Sequence, residues 1–284
     1  MLAECVPGRT IRKAGVSKLR LRTSSLASLP RQLTGRTFAT PRRTGKFLLL
    51  DLDAGHTLLS HLGMSGRWLY WPARTAADDS LAHVHLSLEF KDGARLWYQD
   101  IRRFGMLRVR PTDALGKDPS LKLLGPDPLV SPPTRDSLHA LARGVRTSVK
   151  SFLLDQRRIA GLGNIYVSEI LFLAQVDPRR HAGALTREEW ERIAAEVVPV
   201  LERSIARMGT TFSTYSTIWN EPGQYSEQLL VYDRAGEPCR RCGEPVKRVV
   251  QAGRSTFFCP RCQRRGAALM PVSGLKRGPN RRTR

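Results

Sequence analysis

Cysteine is rare in this 284-residue chain, and its placement defines the first candidate site. Four of the five cysteines form two C-x-x-C pairs, in "EPCRRCGEP" and "STFFCPRC". Tetrahedral zinc needs four deprotonated ligands at about 2.3 Å, and two such pairs on the turns of a hairpin supply that geometry. Four thiolates leave no open position for a catalytic water. The pattern therefore predicts one structural Zn²⁺, bound by Cys239, Cys242, Cys259 and Cys262. Redox chemistry of the two pairs is the alternative interpretation.

The residues around the cysteines predict a cationic hairpin. "VKRVV" and "STFF" alternate as two strands. The same region carries Arg240, Arg241, Lys247, Arg248, Arg254 and Arg261. Such a hairpin is suited to contacts with phosphates or to insertion into a groove of DNA. A solvated basic surface is the alternative.

A second candidate site is the stretch "RRIAGLGNIYVSEI", residues 157–170. Gly161 and Gly163 allow a tight turn, and Asn164 then opens a helix as its predicted N-cap. The free N–H groups and the dipole at that end of the helix favour an anion, so the element is suited to bind a phosphate. The glycine spacing does not match a dinucleotide-binding fingerprint. An ordinary turn between two helices is the alternative.

A third candidate site combines "HLGMSG", residues 61–66, with "QDIRRFG", residues 99–105. Both stretches lie at the edges of predicted hairpins, and together they offer Met64, Arg102 and Phe104. Proteins that extract a base from a duplex need an apolar wedge between base steps and a donor for the base left unpaired. The alternative is that Met64 and Phe104 are core residues.

The charge of the chain supports a polyanionic partner. The sequence has 47 Lys and Arg against 25 Asp and Glu, a formal net charge of +22. A basic C-terminal tail contributes, and its composition predicts disorder. Residues 1–46 are also rich in Lys and Arg, with Glu4 as their single acid. We therefore favour nucleic acid over a membrane surface as the partner. No apolar run is long enough for a membrane span, and "MLAECVPGRTIRKAG" lacks the apolar region of a secretory signal, so a soluble cytoplasmic protein is expected.

The elements that must position these residues change along the chain. The first 110 or so residues predict antiparallel hairpins, with turns such as Lys-Asp-Gly between alternating segments. From Thr134 to Met208 the apolar spacing becomes helical, and "TREE" at Thr186 resembles a capping box. Between them, Pro and Gly concentrate in "LGKDPSLKLLGPDPLVSPP", which predicts a domain boundary near residue 130. Residues 209–228 form a polar stretch too long for an ordinary connection.

In chain order, "GKFLLLDL", "HLGMSG", "RRFG", "LGPDPL", "LLDQRRIAGLGNIYVSEILF", "GTT" and "VYDRAGEPCRRCG" resemble the formamidopyrimidine-DNA glycosylase / endonuclease VIII family. The resemblance covers almost the whole chain and rests on several separate motifs. It implies an α+β fold whose parts are an N-terminal antiparallel β-sandwich (1–130), a helix-two-turn-helix domain (131–228), a zinc finger (229–266) and a basic tail (267–284). Damaged double-stranded DNA is expected to bind in the cleft between the two main domains of a monomer.

The resemblance also implies an activity. Such enzymes flip out an oxidised base, displace it with an amine nucleophile to give a Schiff base, and then cleave the strand by elimination. The set of Met64, Arg102 and Phe104 is similar to that of the formamidopyrimidine branch, whose preferred lesions are oxidised purines such as 8-oxoguanine. These three residues are expected to fill the space left by the flipped base. An enzyme of this kind is expected to be associated with the nucleoid.

Further roles follow from matching positions. Lys46, Asn164 and Arg254 match residues that contact the DNA backbone around the lesion. In a lesion loop over residues 209–228, Thr210, Thr211 and Tyr225 are candidates to touch the flipped base.

The resemblance breaks down at the start of the chain. The family opens with Met-Pro-Glu-Leu-Pro-Glu, in which the proline is the nucleophile and the next glutamate assists proton transfer, and this sequence contains neither. Two explanations remain open. Either the start has been placed downstream of the true one, or the chain is a truncated paralogue that binds damage without cutting it. We favour the first. Lys46 has a primary amine and is the candidate catalytic residue within the sequence, although phosphate binding is the role we favour for it. A zinc-ribbon transcription or RNA-binding factor would explain the charge, but not "HLGMSG" or "RRFG".

Overall fold

The structure is a computed structural model that describes residues 1–22, 24–78, 80–210 and 216–264. The chain forms two compact units. Unit 1 contains residues 1–122 and 210–223, and unit 2 contains residues 123–209 and the chain from 224 onward. Thr211 and the predicted basic tail 267–284 lie outside the described residues.

Unit 1 is built from two antiparallel four-stranded sheets. Its strands are β1 (Ile11–Val16), β2 (Arg42–Thr44), β3 (Phe47–Leu52), β4 (His56–His61), β5 (Gly66–Trp71), β6 (Val84–Phe90), β7 (Arg95–Asp100) and β8 (Met106–Pro111). One sheet has the order β1-β6-β7-β5 and the other has the order β2-β3-β4-β8. The predicted antiparallel hairpins are confirmed.

The core of unit 1 lies between these sheets. Strand β6 shows the alternation that produces it, because Leu86, Leu88 and Phe90 are fully buried on one face. The same core receives Leu50 and Leu58 from the other sheet. Two short helices, α1 (Leu2–Cys5) and α2 (Leu29–Leu33), contribute further buried residues. Burial of alternate apolar side chains from both sheets makes this unit a β-sandwich.

Unit 2 begins with helices at the positions that the apolar spacing predicts. They are α3 (Arg135–Ala142), α4 (Val149–Leu154), α5 (Asn164–Leu173) and α6 (Arg187–Ala206). Thr186 caps α6 as predicted, since its side chain accepts a hydrogen bond from the Glu189 amide and the Glu189 carboxylate accepts one from the Thr186 amide. Within the described ranges, no helix is long and apolar enough to cross a membrane.

The start of α5 differs from the prediction by one residue. Gly163 is the N-cap and Asn164 is the first helical residue. The Asn164 side chain does not cap its own helix. Within the described residues its buried Oδ1, the atom that would accept in a cap, has no hydrogen-bond partner, and its Nδ2 donates to the Ser255 carbonyl far along the chain.

Unit 2 ends with the predicted zinc-ribbon hairpin, formed by β9 (Lys247–Gln251) and β10 (Arg254–Phe258). Ala252 and Gly253 form its turn, and both have positive φ, at 47° and 72°. Two positive φ values in a two-residue loop are typical of a type I′ turn, in which glycine avoids strain. Arg254 pairs with Gln251, so it occupies the first strand position after the turn. The sandwich, the helices and this hairpin confirm the predicted α+β class.

Candidate functional site

The four cysteines of the hairpin region meet at one point. Their sulfur atoms all lie within 4.8 Å of one another. The Sγ atoms of Cys239 and Cys262 are 3.9 Å apart, and those of Cys242 and Cys259 are 3.5 Å apart. Tetrahedral coordination with Zn–S bonds of about 2.3 Å requires S···S distances of about 3.8 Å. The arrangement therefore fits one four-coordinate zinc ion.

Each cysteine pair lies on a turn that presents backbone N–H groups to sulfur. The Arg241 amide donates to Cys239 Sγ at 3.4 Å, and the Cys262 amide donates to Cys259 Sγ at the same distance. Such donors stabilise thiolate over thiol, which is the form that zinc binds. Gln263 closes the second turn, because its side-chain oxygen accepts from the Cys259 amide.

The start of the hairpin strand β10 is held by two polar side chains from the helices. Lys150 of α4 is almost fully buried, and its Nζ donates to the Ser255 carbonyl at 2.7 Å and to the Thr256 hydroxyl at 2.6 Å. Asn164 Nδ2 donates to the same Ser255 carbonyl at 2.9 Å. Ser255 directly follows Arg254. The structure thus brings Asn164 next to the strand that carries Arg254, whose side chain is exposed.

The charge of Lys150 is costly where it lies. Burial and the nearby positive charge of Arg254 lower the pKa of Lys150 to about 8. Sequence reasoning missed this residue, because a single lysine in "SVKSFLLD" gives no signal that it faces inward.

A buried carboxylate secures the chain that leads into the zinc region. Glu169 of α5 is almost fully buried and accepts three backbone N–H groups, from Leu230 at 2.7 Å, Val231 at 3.0 Å and Tyr232 at 2.9 Å. Burial raises the pKa of Glu169, and the three amide donors oppose that shift. Buried charges are retained when such hydrogen bonds satisfy them.

In unit 1, the two stretches predicted to share a site are in direct contact. We call residues 62–65 the Met64 loop and residues 101–105 the Arg102 loop. Gly63 has φ +63°, and a Cβ there would lie 2.6 Å from the Phe104 carbonyl carbon, so the two backbones touch. Met64 is 66% exposed, which makes it a projecting residue and not a core one.

The predicted ring and guanidinium form a stack. The Arg102 guanidinium carbon lies 4.8 Å from the centre of the Phe104 ring, and that of Arg22 lies 5.3 Å from it. Cation–π contacts of this kind hold a ring and a cation together at a surface. Arg102 and Phe104 are therefore held together, next to the loop that carries Met64.

Lys46 is exposed in the turn between β2 and β3, at the end of β3 that pairs with His61. Burial and the positive charge of Lys46 lower the pKa of His61. His61 Nδ1 lies 3.0 Å from the Gly63 amide and accepts its hydrogen, so the neutral ring braces the start of the Met64 loop. His61 stands inside "HLGMSG", but the sequence reasoning assigned it no role.

The residues of the predicted lesion loop are divided between the units. Thr210 is in unit 1 and Tyr225 is in unit 2. Within the described part of the chain, the buried Thr210 hydroxyl has no hydrogen-bond partner. Tyr225 is buried with its ring 6.2 Å from that of Tyr166, and burial raises its pKa to about 12. Their contact with a flipped base stays a prediction.

The part of the loop that belongs to unit 1 is anchored on the sandwich. Arg67 of β5 donates to the Ser216 hydroxyl and to the Asn220 side-chain oxygen, both at 2.9 Å. The Tyr70 amide donates to the Ile218 carbonyl at 2.8 Å, and the Ile218 side chain joins the sandwich core. These contacts fix residues 216–220 along strand β5.

The sandwich, the helices and the four-cysteine hairpin together define a basic α+β protein with a structural zinc site. Three family models match this chain: "Formamidopyrimidine-DNA glycosylase N-terminal domain" over residues 1–107, "Formamidopyrimidine-DNA glycosylase H2TH domain" over 124–216, and "Zinc finger found in FPG and IleRS" over 236–265.

Individual proteins agree with these matches. The formamidopyrimidine-DNA glycosylase of Methylococcus capsulatus is 41% identical over 267 residues, which cover 93% of this chain and 95% of that protein. The corresponding protein of Exiguobacterium is 38% identical over 266 residues, with the same coverage. The chain belongs to the formamidopyrimidine-DNA glycosylase family, and its four clustered cysteines hold one structural zinc.

Solved structures show the same similarity. A complex between the Lactococcus lactis Fpg and DNA containing an abasic site has a TM-score of 0.84 at 30% identity, and covers 93% of this chain and 96% of that one. A complex of MutM with DNA containing carbocyclic 8-oxo-G has a TM-score of 0.82 at 29% identity, with the same coverage.

Proposed function

We propose that this protein is a DNA glycosylase that flips oxidised purines out of double-stranded DNA and removes them. The observation that carries the proposal is the exposed Met64 on a loop whose backbone, at Gly63, touches that of Phe104, the ring of the Arg102–Phe104 stack. An apolar wedge beside a guanidinium and a ring suits the space vacated by a flipped base, because the wedge replaces stacking and the guanidinium offers donors. The names of the similar proteins, and the lesion-containing DNA bound by the solved ones, support the substrate class.

In this function, unit 2 positions the DNA duplex. Arg254 and the start of α5 bind phosphates, which positions the duplex without reading its sequence. Lys46 contributes another phosphate contact from unit 1. Thr210, Thr211 and Tyr225 remain our candidates for touching the flipped base, and the protein acts as a monomer, in the cytoplasm with the nucleoid.

We further propose that base removal is followed by strand cleavage, as in an AP lyase. In that reaction an amine attacks C1′ of the sugar, and the bond between C1′ and the base breaks, so that the base leaves with a proton. The C1′–O4′ bond then breaks, O4′ takes up a proton to become a hydroxyl, and the nitrogen lone pair forms the imine of the opened sugar. The imine accepts electrons while a proton leaves C2′, and the 3′-phosphate departs. The amine is either that of the proline in the family's opening motif or, within this sequence, that of Lys46.

Borohydride trapping tests this reaction. An imine-forming enzyme becomes covalently linked to an 8-oxoguanine duplex, whereas a protein that only binds damage does not. The assay is run on this polypeptide and on one extended upstream by in-frame translation. Trapping by neither would overturn the enzyme proposal and favour a catalytically silent damage-binding paralogue.

A conservative variant separates the two roles of Lys46. Lys46→Arg keeps the positive charge for phosphate but removes the nucleophilic amine. Trapping that survives this change assigns Lys46 to phosphate binding, and trapping that is abolished while DNA affinity is retained assigns it to the chemistry.

A further inference from the structure

We propose that Asp100, acting through Ser65, is a positioning residue that locks the Met64 loop to the Arg102 loop and thereby sets the discrimination between damaged and undamaged DNA. The inference rests on the proposed function, because it names what holds the base-replacing residues in register. Asp100 is the last residue of β7, and Ser65 directly precedes β5.

The Asp100 carboxylate reaches both loops at once. It is fully buried, and its Oδ1 accepts from the Ser65 hydroxyl at 2.5 Å. Its Oδ2 accepts from the Gly105 amide at 2.7 Å. Ser65 is the last residue of the Met64 loop, and Gly105 is the last residue of the Arg102 loop. One carboxylate therefore fixes the distance between them.

Ser65 extends this connection to the residue that carries the guanidinium. Its hydroxyl donates to Asp100 and accepts from the Arg102 amide at 3.0 Å. The backbone of Arg102 is thus joined to the Met64 loop by a single hydroxyl, itself buried. Removal of that hydroxyl breaks both bonds without changing charge or adding volume.

The two loops are packed so closely at Gly63 and Gly105 that neither position has room for a Cβ atom. A Cβ at Gly105 would lie 2.9 Å from Asp100 Oδ2 and 2.9 Å from the His61 carbonyl, and a Cβ at Gly63 would clash with the Phe104 backbone. Because the backbones already touch, a small shift of either loop moves Met64 relative to Phe104. Close packing of this kind makes position sensitive to each hydrogen bond that maintains it.

The donors to Asp100 are neutral groups. The Ser65 hydroxyl, the Gly105 amide and the Tyr98 hydroxyl all hydrogen-bond the buried Asp100 carboxylate. Such charge-assisted bonds are shorter and stronger than neutral ones. Asp100→Asn preserves the shape of the side chain but removes its charge. It also replaces one acceptor oxygen with an NH2 group, which cannot accept from the Ser65 hydroxyl or the Gly105 amide, so the contacts to both loops are weakened.

The primary test compares Ser65→Ala with a matched control in the same unit. Thr57→Val also deletes one buried hydroxyl, which donates to Asp51 at 2.6 Å and lies 3.0 Å from the Thr112 hydroxyl, but touches neither loop. For each protein, the dissociation constants for an 8-oxoguanine duplex and for the undamaged duplex are measured at the same salt concentration. We expect the ratio to fall about fivefold in Ser65→Ala, which breaks two hydrogen bonds, and in Asp100→Asn, which weakens two, and to stay unchanged in Thr57→Val. A ratio that is unchanged in all three variants, or lowered equally in all three, overturns the inference.

A second measurement does not depend on DNA. Amide hydrogen exchange of the free protein should accelerate at Arg102 and Gly105 in Ser65→Ala and Asp100→Asn, respectively, but not in Thr57→Val. If wild-type protein shows no preference for the lesion, the proposed function is wrong, and exchange alone decides whether Asp100 locks the loops. If the wild-type preference survives in both loop variants, the proposed function stands and this inference fails.

A double variant tests whether Ser65 affects the lesion preference through Met64. Because Ser65 acts by placing Met64, Ser65→Ala should lower the lesion preference much less in a Met64→Ala background than in the wild type. Equal effects in both backgrounds would show that Ser65 acts independently of Met64.

Discussion

Two regions that we assign to DNA binding are secured in opposite ways. The loops that carry Met64 and Arg102 are held by direct backbone contact and by hydrogen bonds that end on one local carboxylate. The hairpin that carries Arg254 is held by four cysteines and by two buried ionisable side chains, Lys150 and Glu169. Only the second arrangement should respond to loss of zinc and to the titration of Lys150 at alkaline pH. Lesion discrimination and general DNA affinity should therefore respond to different conditions.

Loss of zinc should produce the largest difference between the two regions, because only the hairpin region binds the metal. Cys259→Ser removes one of four ligands, so we expect zinc release, unfolding of the hairpin and a fall of about 100-fold in affinity for any duplex, equivalent to two charge-assisted contacts. The sandwich should melt at an unchanged temperature. Zinc content, circular dichroism and binding titrations report these effects. Cys5→Ser is the control, since Cys5 belongs to the sandwich core and is not one of the four clustered cysteines. Full affinity in zinc-free protein would contradict the comparison.

Alkaline titration should affect the hairpin anchor alone. The folded-state pKa of Lys150 is about 8, below its usual 10.5, so the unfolded chain binds more protons between these values. Stability of unit 2 should therefore rise from pH 8 to 10.5, by roughly 3 kcal/mol at the upper limit, whereas below pH 8 the full cost of the buried charge is present. Denaturant unfolding of zinc-loaded protein measures the slope. It should disappear in Lys150→Met and persist in Lys247→Met, an exposed lysine of β9. If the free energy of unfolding rose equally with pH in both variants, deprotonation of Lys150 would not be the cause of the rise.

Arg254→Ala should weaken binding to every duplex about equally, by about tenfold for one charged phosphate contact. The dependence of log K on log salt should become shallower by about 0.9, the value for one phosphate. Asn164→Ala should likewise act on all duplexes, and it should also loosen the Ser255 carbonyl. Titrations at several salt concentrations test this, with Lys117→Ala, an exposed lysine outside the hairpin, as the control. A loss of affinity confined to lesion-containing DNA would show that Arg254 contributes to lesion discrimination and not to general phosphate binding.

Met64→Ala and Phe104→Ala should have the smallest and most selective effect. The preference for a lesion-containing duplex should fall about fivefold, because the truncated side chain no longer replaces the lost stacking. Affinity for undamaged DNA should change little. Competition binding between the two duplexes measures the preference directly. If Met64→Ala weakened all duplexes as Arg254→Ala does, its space-filling role would be wrong.

The sequence predicted the features whose signals are local. The cysteine spacing, the alternation in β6 and the capping box at Thr186 each lie within a few residues, and each is confirmed. The matched motifs placed Met64 and Phe104 in two neighbouring stretches, and the structure shows those stretches in contact.

The sequence could not reveal the residues that hold these features in place. Lys150 bonds to a carbonyl 105 positions away, and Glu169 bonds to amides that begin 61 positions away. Backbone carbonyl and amide groups are common to almost all residue types, so such partners leave no trace in composition or periodicity. The same holds for Asp100, whose second acceptor contact is the amide of Gly105. The predicted cap at Asn164 was wrong, because Gly163 precedes it as the N-cap, and the Asn164 side chain donates to a carbonyl that the sequence pattern could not indicate.

The anchoring of residues 216–220 along β5 has a consequence for dissecting the protein. Ile218 completes the sandwich core and accepts the Tyr70 amide, yet it is encoded after all four helices of unit 2. A fragment that stops at residue 122 would leave that part of the core open and an edge amide unsatisfied. A gene fragment for the sandwich should therefore join residues 1–122 to 216–223 through a short linker, and exchanges of whole segments between relatives should respect the same discontinuous boundary.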